Sequence, residues 1–175
     1  MRDIIKIITT LFRVGFALMG FAFKVLVFLL GLLFKLGGIT PASFEAAVRV
    51  VDGDSLVATP NGTEIKIRLH GIDAPEYDQP EGPAATAMLR SLVRGETVTI
   101  HPVDRDRYDR LVARVTLADG TDVGREMVRR GMAIALMHHN KNYSYDQHQA
   151  QSDRAGFWAS GGIVAPSAWR QARRG

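Results

Sequence analysis

The stretch EIKIRLHGIDAPE, residues 64–76, combines a strand pattern with a group of charged side chains. In its first half, apolar residues occupy every second position, which predicts a half-buried β-strand. Arg68 occupies one of the polar positions and therefore points away from the apolar face. Two carboxylates, Asp73 and Glu76, follow the strand directly.

A second acidic stretch, DGDS at residues 52–55, precedes this strand. Its two aspartates bring the number of carboxylates around Arg68 to four. Like charges that folding brings together repel, so the arrangement indicates a bound cation, a function or both. The same repulsion predicts that removal of Asp54 or Asp73 slightly raises stability in the absence of metal. A pair of turns is the alternative interpretation, since Asp-Gly is a common hairpin signal.

The sequence around these two stretches alternates between strand and helix patterns. Five stretches predict strands: FEAAVRVV, SLVATP, EIKIRLHGI, ETVTIHPV and RLVARVTL. Three predict helices: GPAATAMLRSLVRG, VGREMVRRGMAIAL (ending at Gly131) and YDQHQAQSDRAGFW. Five short strands with interspersed helices indicate a small curled sheet or barrel of the α+β class.

The composition excludes cysteine-based sites, and the distribution of charge gives little support to nucleic-acid binding by the globular part. The chain has 175 residues and no cysteine, which excludes disulfides and thiolate metal sites. Its formal net charge of +4 comes from residues 1–36, and the remainder carries equal numbers of basic and acidic residues. Bulk charge is therefore no argument for nucleic-acid binding by the globular part, and only local clusters could support it.

Residues 14–34, VGFALMGFAFKVLVFLLGLLF, form an apolar segment with the single charge of Lys24. A helix of this length spans a hydrocarbon core of about 30 Å. A spanning helix is favoured over an interfacial helix, because the polar face is narrow, and over a signal peptide, because the apolar region is long. Basic residues before the segment predict a cytoplasmic N-terminus and an exported remainder.

The predicted organisation follows from this segment. A basic cytoplasmic segment (1–13), a transmembrane helix (14–34) and a linker (35–44) precede a globular domain (45–170) and a basic tail (171–175). The expected location is the inner membrane, with a single pass and the domain facing the periplasm or the exterior.

Three motifs in the order VVDGDS, IRLHGIDAPE and DRYDR carry a resemblance to a known family. With them the chain resembles the staphylococcal nuclease, or thermonuclease, family, and its ending GFWASGGIVAPSAWR resembles that of bacterial members. Over about residues 45–170 the resemblance implies a five-stranded OB-type barrel with three helices. It also implies calcium-dependent hydrolysis of DNA or RNA, with single strands favoured. The alternative is a non-catalytic barrel of this type, anchored in the membrane, that binds nucleic acid or a protein.

The resemblance implies a metal site of oxygen ligands. Asp54 and Asp73 match the calcium-binding carboxylates of the family, and the backbone carbonyl of Ala74 matches a further ligand. Asp52 matches an acidic position close to the metal ligands, and Ser55 keeps the hydroxyl of the threonine found there in the family.

The resemblance also implies the catalytic groups. Arg68 and Arg110 match the two catalytic arginines, and Glu76 matches the catalytic carboxylate. Physical chemistry agrees, because two guanidinium groups can grip the oxygens of a phosphate and a carboxylate can orient or deprotonate the attacking water.

The resemblance also bears on three tyrosines, which are expected near the substrate, and on one aspartate that departs from the family pattern. Tyr108 matches a tyrosine near the nucleotide phosphate, and Tyr143 and Tyr145 correspond to tyrosines near the base. Asp109 replaces the glycine that the family has before the second arginine, and aspartate tolerates a positive φ better than most residues. Arg170, Arg173 and Arg174 near the C-terminus could touch nucleic acid or lipid, but the expectation is a solvated tail.

Overall fold

The computed structural model describes residues 42–136 and 142–173, without the side chain of Asn142. They belong to a unit that spans Pro41–Gly175. The predicted cytoplasmic segment and transmembrane helix, residues 1–34, lie outside the described residues. Within the described ranges, no helix is both long enough and apolar enough to cross a bilayer.

Five strands close into a barrel, which confirms the predicted strand count. The order around the barrel is β1-β2-β3-β6-β5, and β4 and β7 form a separate two-stranded sheet. The strands are β1 (Phe44–Asp52), β2 (Ser55–Ala58), β3 (Ile65–Leu69), β4 (Ile72–Asp73), β5 (Thr97–Arg105), β6 (Leu111–Thr116) and β7 (Ile134–Ala135). Neighbouring strands are antiparallel except for β3 and β6, which are parallel.

The strand predicted from EIKIRLHGI is divided in the structure. It ends at Leu69, the chain turns at Gly71 with φ of 79°, and β4 begins at Ile72. Glycine permits this positive φ without a steric penalty, so the turn can redirect the chain. Asp73 consequently lies on a different strand from Arg68.

The described residues contain four α-helices, one more than predicted. They are α1 (Gly82–Val93), α2 (Val123–Arg129), α3 (Asn142–Ser152) and α4 (Pro166–Ala172). The helix predicted from YDQHQAQSDRAGFW begins earlier in the structure, at Asn142. It also ends earlier, at Ser152, because Arg154 takes a φ of 52° that a helix does not allow. A 3₁₀ turn, Gly156–Ser160, follows, and α4 then begins with a proline at its first position, a signal that the sequence interpretation missed.

The core fills the barrel and the space beneath α1. In β3, Ile67 and Leu69 are 0% and 2% exposed, which confirms the apolar face predicted from the alternating pattern. Leu89 of α1 is fully buried as well. Since successive side chains of a strand point to opposite faces, burial of Ile67 and Leu69 directs Arg68 out of the core.

Candidate functional site

An open pocket of about 530 Å³ lies where Arg68 emerges from β3. Eight of the eleven residues predicted from the sequence line it: Asp52, Asp54, Ser55, Arg68, Ala74, Glu76, Tyr108 and Arg110. Asp73 contacts the pocket through Arg68. Residues from the three motifs VVDGDS, IRLHGIDAPE and DRYDR therefore lie around one pocket.

The turn between β1 and β2 holds Asp54 in a fixed position. A Cβ atom on Gly53 would lie 2.7 Å from the Cβ of Ala74 and 2.9 Å from that of Ala85, so this close approach requires glycine. The backbone amide of Ala74 donates to Oδ2 of Asp54 at 2.8 Å. The hydroxyl of Ser55 donates to Oδ1 at 3.1 Å, and the carboxylate is thus buried and hydrogen-bonded on both oxygens.

Asp52 supports the same turn from outside. Its Oδ1 accepts a hydrogen bond from the backbone amide of Asp54 at 3.1 Å, the pattern of an Asx turn. Asp52 therefore lies beside Asp54, and its place outside the metal ligands stays a prediction.

Arg68 pairs with both predicted metal carboxylates. Its Nη2 donates to Oδ1 of Asp73 at 2.6 Å and to the carbonyl oxygen of Ile72 at 3.3 Å, while Nη1 pairs with Asp54. Burial lowers the pKa of Arg68, and the neighbouring Asp73 opposes that effect. The side chain remains a cation at neutral pH because the ordinary pKa of a guanidinium lies far above neutrality.

The second arginine is held by Asp106. Nε and Nη2 of Arg110 lie 2.8 Å and 2.7 Å from Oδ2 of that carboxylate. Burial raises the pKa of Asp106, but the hydrogen bonds from Arg110 and Tyr108 outweigh it, so the pKa lies below its ordinary value. The guanidinium of Arg110 also lies 5.6 Å from the ring centre of Tyr108, and that of Arg107 lies 4.9 Å from it.

The aspartate that replaces the family's glycine fits the turn. Asp109 has a φ of 61°, in the left-handed region that aspartate was expected to tolerate. Its carboxylate pairs with Nη1 of Arg105 at 2.7 Å, whereas Arg110 pairs with Asp106. The extra negative charge is therefore matched by Arg105.

Arg107 and Arg170 line the pocket as well, and the sequence interpretation did not include Arg170 among the site residues. Arg170 on α4 donates from Nη2 to Oδ2 of Asp73 at 3.0 Å and from Nη1 to Oδ1 at 3.2 Å, and Nη1 also contacts Glu76. Burial lowers the pKa of Arg170, but hydrogen bonds to both carboxylates outweigh it and raise the pKa. The expectation of a solvated tail is therefore wrong for this residue.

Tyr143 and Tyr145 do not line the pocket. Tyr143 is 3% exposed, and its hydroxyl donates to the carboxylate of Asp122 at 2.8 Å. Tyr145 is 71% exposed on α3. A contact between either tyrosine and a nucleic-acid base stays a prediction that this geometry does not support.

The carboxylates of Asp54 and Asp73 offer ligands for one cation. Both are 3% exposed, and both already hold the positive charge of Arg68 between them. No group of three or more acidic or histidine side chains with metal-binding geometry occurs in residues 42–136 and 142–173. Carboxylate and backbone carbonyl oxygens are donors that a hard cation such as calcium accepts together with water, and a calcium site at these residues stays a prediction.

The described residues form a closed barrel of the OB type, with arginines and carboxylates around one open pocket. The model of the staphylococcal nuclease homologue family matches residues 66–160. The chain belongs to this family and is accordingly a hydrolase that acts on phosphodiester bonds.

Individual relatives are consistent with that assignment. An uncharacterized endonuclease of Escherichia coli O157:H7 is 38% identical over 125 residues, which cover 70% of this chain and 82% of the relative. An uncharacterized endonuclease of Haemophilus influenzae is 37% identical over 71% of each chain. A micrococcal nuclease of Shigella flexneri is 31% identical over 73% of this chain and 80% of the relative.

Proposed function

We propose that the chain is a calcium-dependent endonuclease that cuts DNA or RNA, with single strands favoured, and that a helix at residues 14–34 tethers it to the membrane. The observation that carries the catalytic part is the meeting of Arg68, Arg110 and Glu76 in one pocket. A protein that only binds nucleic acid needs positive charge beside the phosphates, whereas hydrolysis also needs a group that handles the attacking water.

Different residues of the pocket can carry out different parts of the hydrolysis. Attack of water on a phosphodiester adds negative charge to the phosphate oxygens in the transition state. Arg68 and Arg110 can donate paired hydrogen bonds to those oxygens. Glu76, about a third exposed at the pocket, can accept a proton from the attacking water or orient it.

A calcium ion held by Asp54, Asp73 and the carbonyl oxygen of Ala74 would add positive charge beside the phosphate. These residues support the proposal because they supply only oxygen donors and their two carboxylates are buried and fixed. Tyr108, between Arg107 and Arg110 at the pocket wall, is positioned to lie beside the nucleotide.

A nuclease assay on the purified full chain tests the catalytic proposal. We expect cleavage of a single-stranded oligonucleotide with calcium and none with a chelator. Glu76→Gln is expected to lose turnover while it keeps its affinity for the oligonucleotide, since it removes the group that handles water. Salt must be fixed because contacts to phosphates depend on it. Binding without cleavage by the wild type would instead support the non-catalytic alternative.

Membrane attachment has a separate test. We expect the full chain to stay in the membrane fraction after carbonate or high-salt washing, whereas a fragment of residues 40–175 stays in the supernatant. The reason is the apolar segment 14–34 and the balanced charge of the remainder. Release of the full chain by salt alone would indicate a surface helix. N-terminal sequencing that found a cut between residues 35 and 47 would indicate a signal peptide.

A further inference from the structure

The C-terminal helix α4 is fastened to the loop that carries Glu76. The side chain of Gln79, 2% exposed, donates from Nε2 to the carbonyl oxygen of Val164 at 2.6 Å. Its Oε1 accepts from the backbone amide of Glu76 at 3.2 Å. On α4 itself, Nε1 of Trp169 donates to Oδ1 of Asp78 at 3.3 Å. Backbone and side chains of the loop are thus connected to the segment before α4 and to the helix.

Arg170 extends this connection into the pocket. Its Nη1 is shared between Oδ1 of Asp73 and Oε1 of Glu76, and its Nη2 donates to Oδ2 of Asp73 at 3.0 Å. One planar guanidinium therefore links a carboxylate proposed to bind metal to the carboxylate proposed to handle water. A planar group with fixed donor directions sets the distance between its two partners, which a flexible ammonium does not.

Glu76 needs such a partner more than Asp73 does. The side chain of Asp73 is 4% exposed and also accepts from Arg68, whereas that of Glu76 is 34% exposed on a loop. We propose that Arg170 is a positioning residue for phosphodiester hydrolysis, which holds the carboxylate of Glu76 at a fixed place relative to Asp73. This inference rests on the proposed function and adds α4 to the active site.

The charge of Arg170 makes this role distinguishable from a merely structural one. Removing the guanidinium leaves the group of carboxylates more negative, so affinity for calcium should stay the same or increase. Turnover should fall, because a small displacement of a reacting group can cost a factor on the order of a hundred. Damage to the fold would instead lower both quantities together.

The experiment compares Arg170→Ala and Arg170→Lys with Arg173→Ala in the full chain. Arg173 is a matched control because it lies next to the same helix and pairs with Asp78, outside the pocket. For Arg170→Ala we expect kcat to fall on the order of a hundredfold with little change in KM, and calorimetry to show calcium affinity at or above that of the wild type. Arg170→Lys should recover only part of kcat, and Arg173→Ala should resemble the wild type.

Each other outcome overturns the inference. Normal kcat in Arg170→Ala, full recovery in Arg170→Lys, or a parallel loss of calcium affinity and kcat would each exclude a positioning role. A loss in Arg173→Ala equal to that in Arg170→Ala would indicate a general effect of loosening the helix. A wild type that does not cut would refute the proposed function and this role with it, whereas a wild type that cuts beside an equally active Arg170→Ala would refute the role alone.

Discussion

Arg68→Lys is expected to lower kcat on the order of a hundredfold or more while substrate affinity changes little. The substitution keeps the positive charge but removes the planar fork that can meet two phosphate oxygens. Loss of a fixed donor that acts mainly on the transition state affects turnover more than binding. The structure strengthens this expectation, because Asp73, Asp54 and the carbonyl oxygen of Ile72 hold the guanidinium in place before any substrate arrives.

The measurement pairs a cleavage rate with a dissociation constant for one oligonucleotide at one salt concentration. Arg49→Lys is the matched control, since Arg49 makes an exposed pair with Glu64 on the barrel and does not line the pocket. Equal rates for Arg68→Lys and the wild type would remove Arg68 from the catalytic assignment. A loss confined to affinity would assign it to substrate binding instead.

Asp73→Ala is expected to abolish calcium-stimulated cleavage and also to destabilise the fold by about 3 kcal/mol. The sequence predicted the opposite sign for stability, on the ground that neighbouring carboxylates repel. The structure reverses the expected direction of the stability change, because the carboxylate of Asp73 is buried and accepts hydrogen bonds from Arg68 and Arg170. Removing it leaves the partly buried guanidinium of Arg68 with fewer partners, a loss of stability larger than the repulsion relieved.

Urea unfolding of the metal-free protein measures the stability change, and calorimetry measures calcium affinity. Asp153→Ala is a suitable control, because Asp153 is exposed beyond the end of α3 and contacts only Gln149 among the side chains described for it. An Asp73→Ala variant more stable than the wild type would show that repulsion between the carboxylates outweighs the ion pairs of Asp73. Unchanged calcium affinity would exclude Asp73 as a ligand.

Local patterns predicted the barrel and most of the pocket, for identifiable reasons. Alternation in β3 fixed the direction of Arg68, and the turn signal in DGDS placed Asp54 between two paired strands. Both are properties of neighbouring residues, which a single sequence contains. The resemblance then supplied roles for Arg110 and Glu76, which local patterns leave undefined.

The features that the sequence did not reveal depend on contacts between distant residues. Arg170 reads as one of several basic residues near the C-terminus, and its partner Glu76 lies 94 positions earlier. The pairing of Asp109 with Arg105, four positions earlier, is local in the sequence, but only the shape of the turn decides it against the adjacent Arg110. Only the folded geometry decides between such partners. The proline that begins α4 and the ending GFWASGGIVAPSAWR were local signals for this part of the chain, but neither identified the partners of Arg170.

The parallel pairing of β3 with β6 links the timing of activity to the folding of the chain. It places Arg68 opposite Val112 and so brings the two arginines together across more than 40 residues of intervening sequence. Contacts of such large sequence separation form late, because the entropy of closing the loop is lost before they can stabilise the chain. A nascent or partly folded chain therefore has no assembled site, and the capacity to cut nucleic acid appears only when the barrel closes.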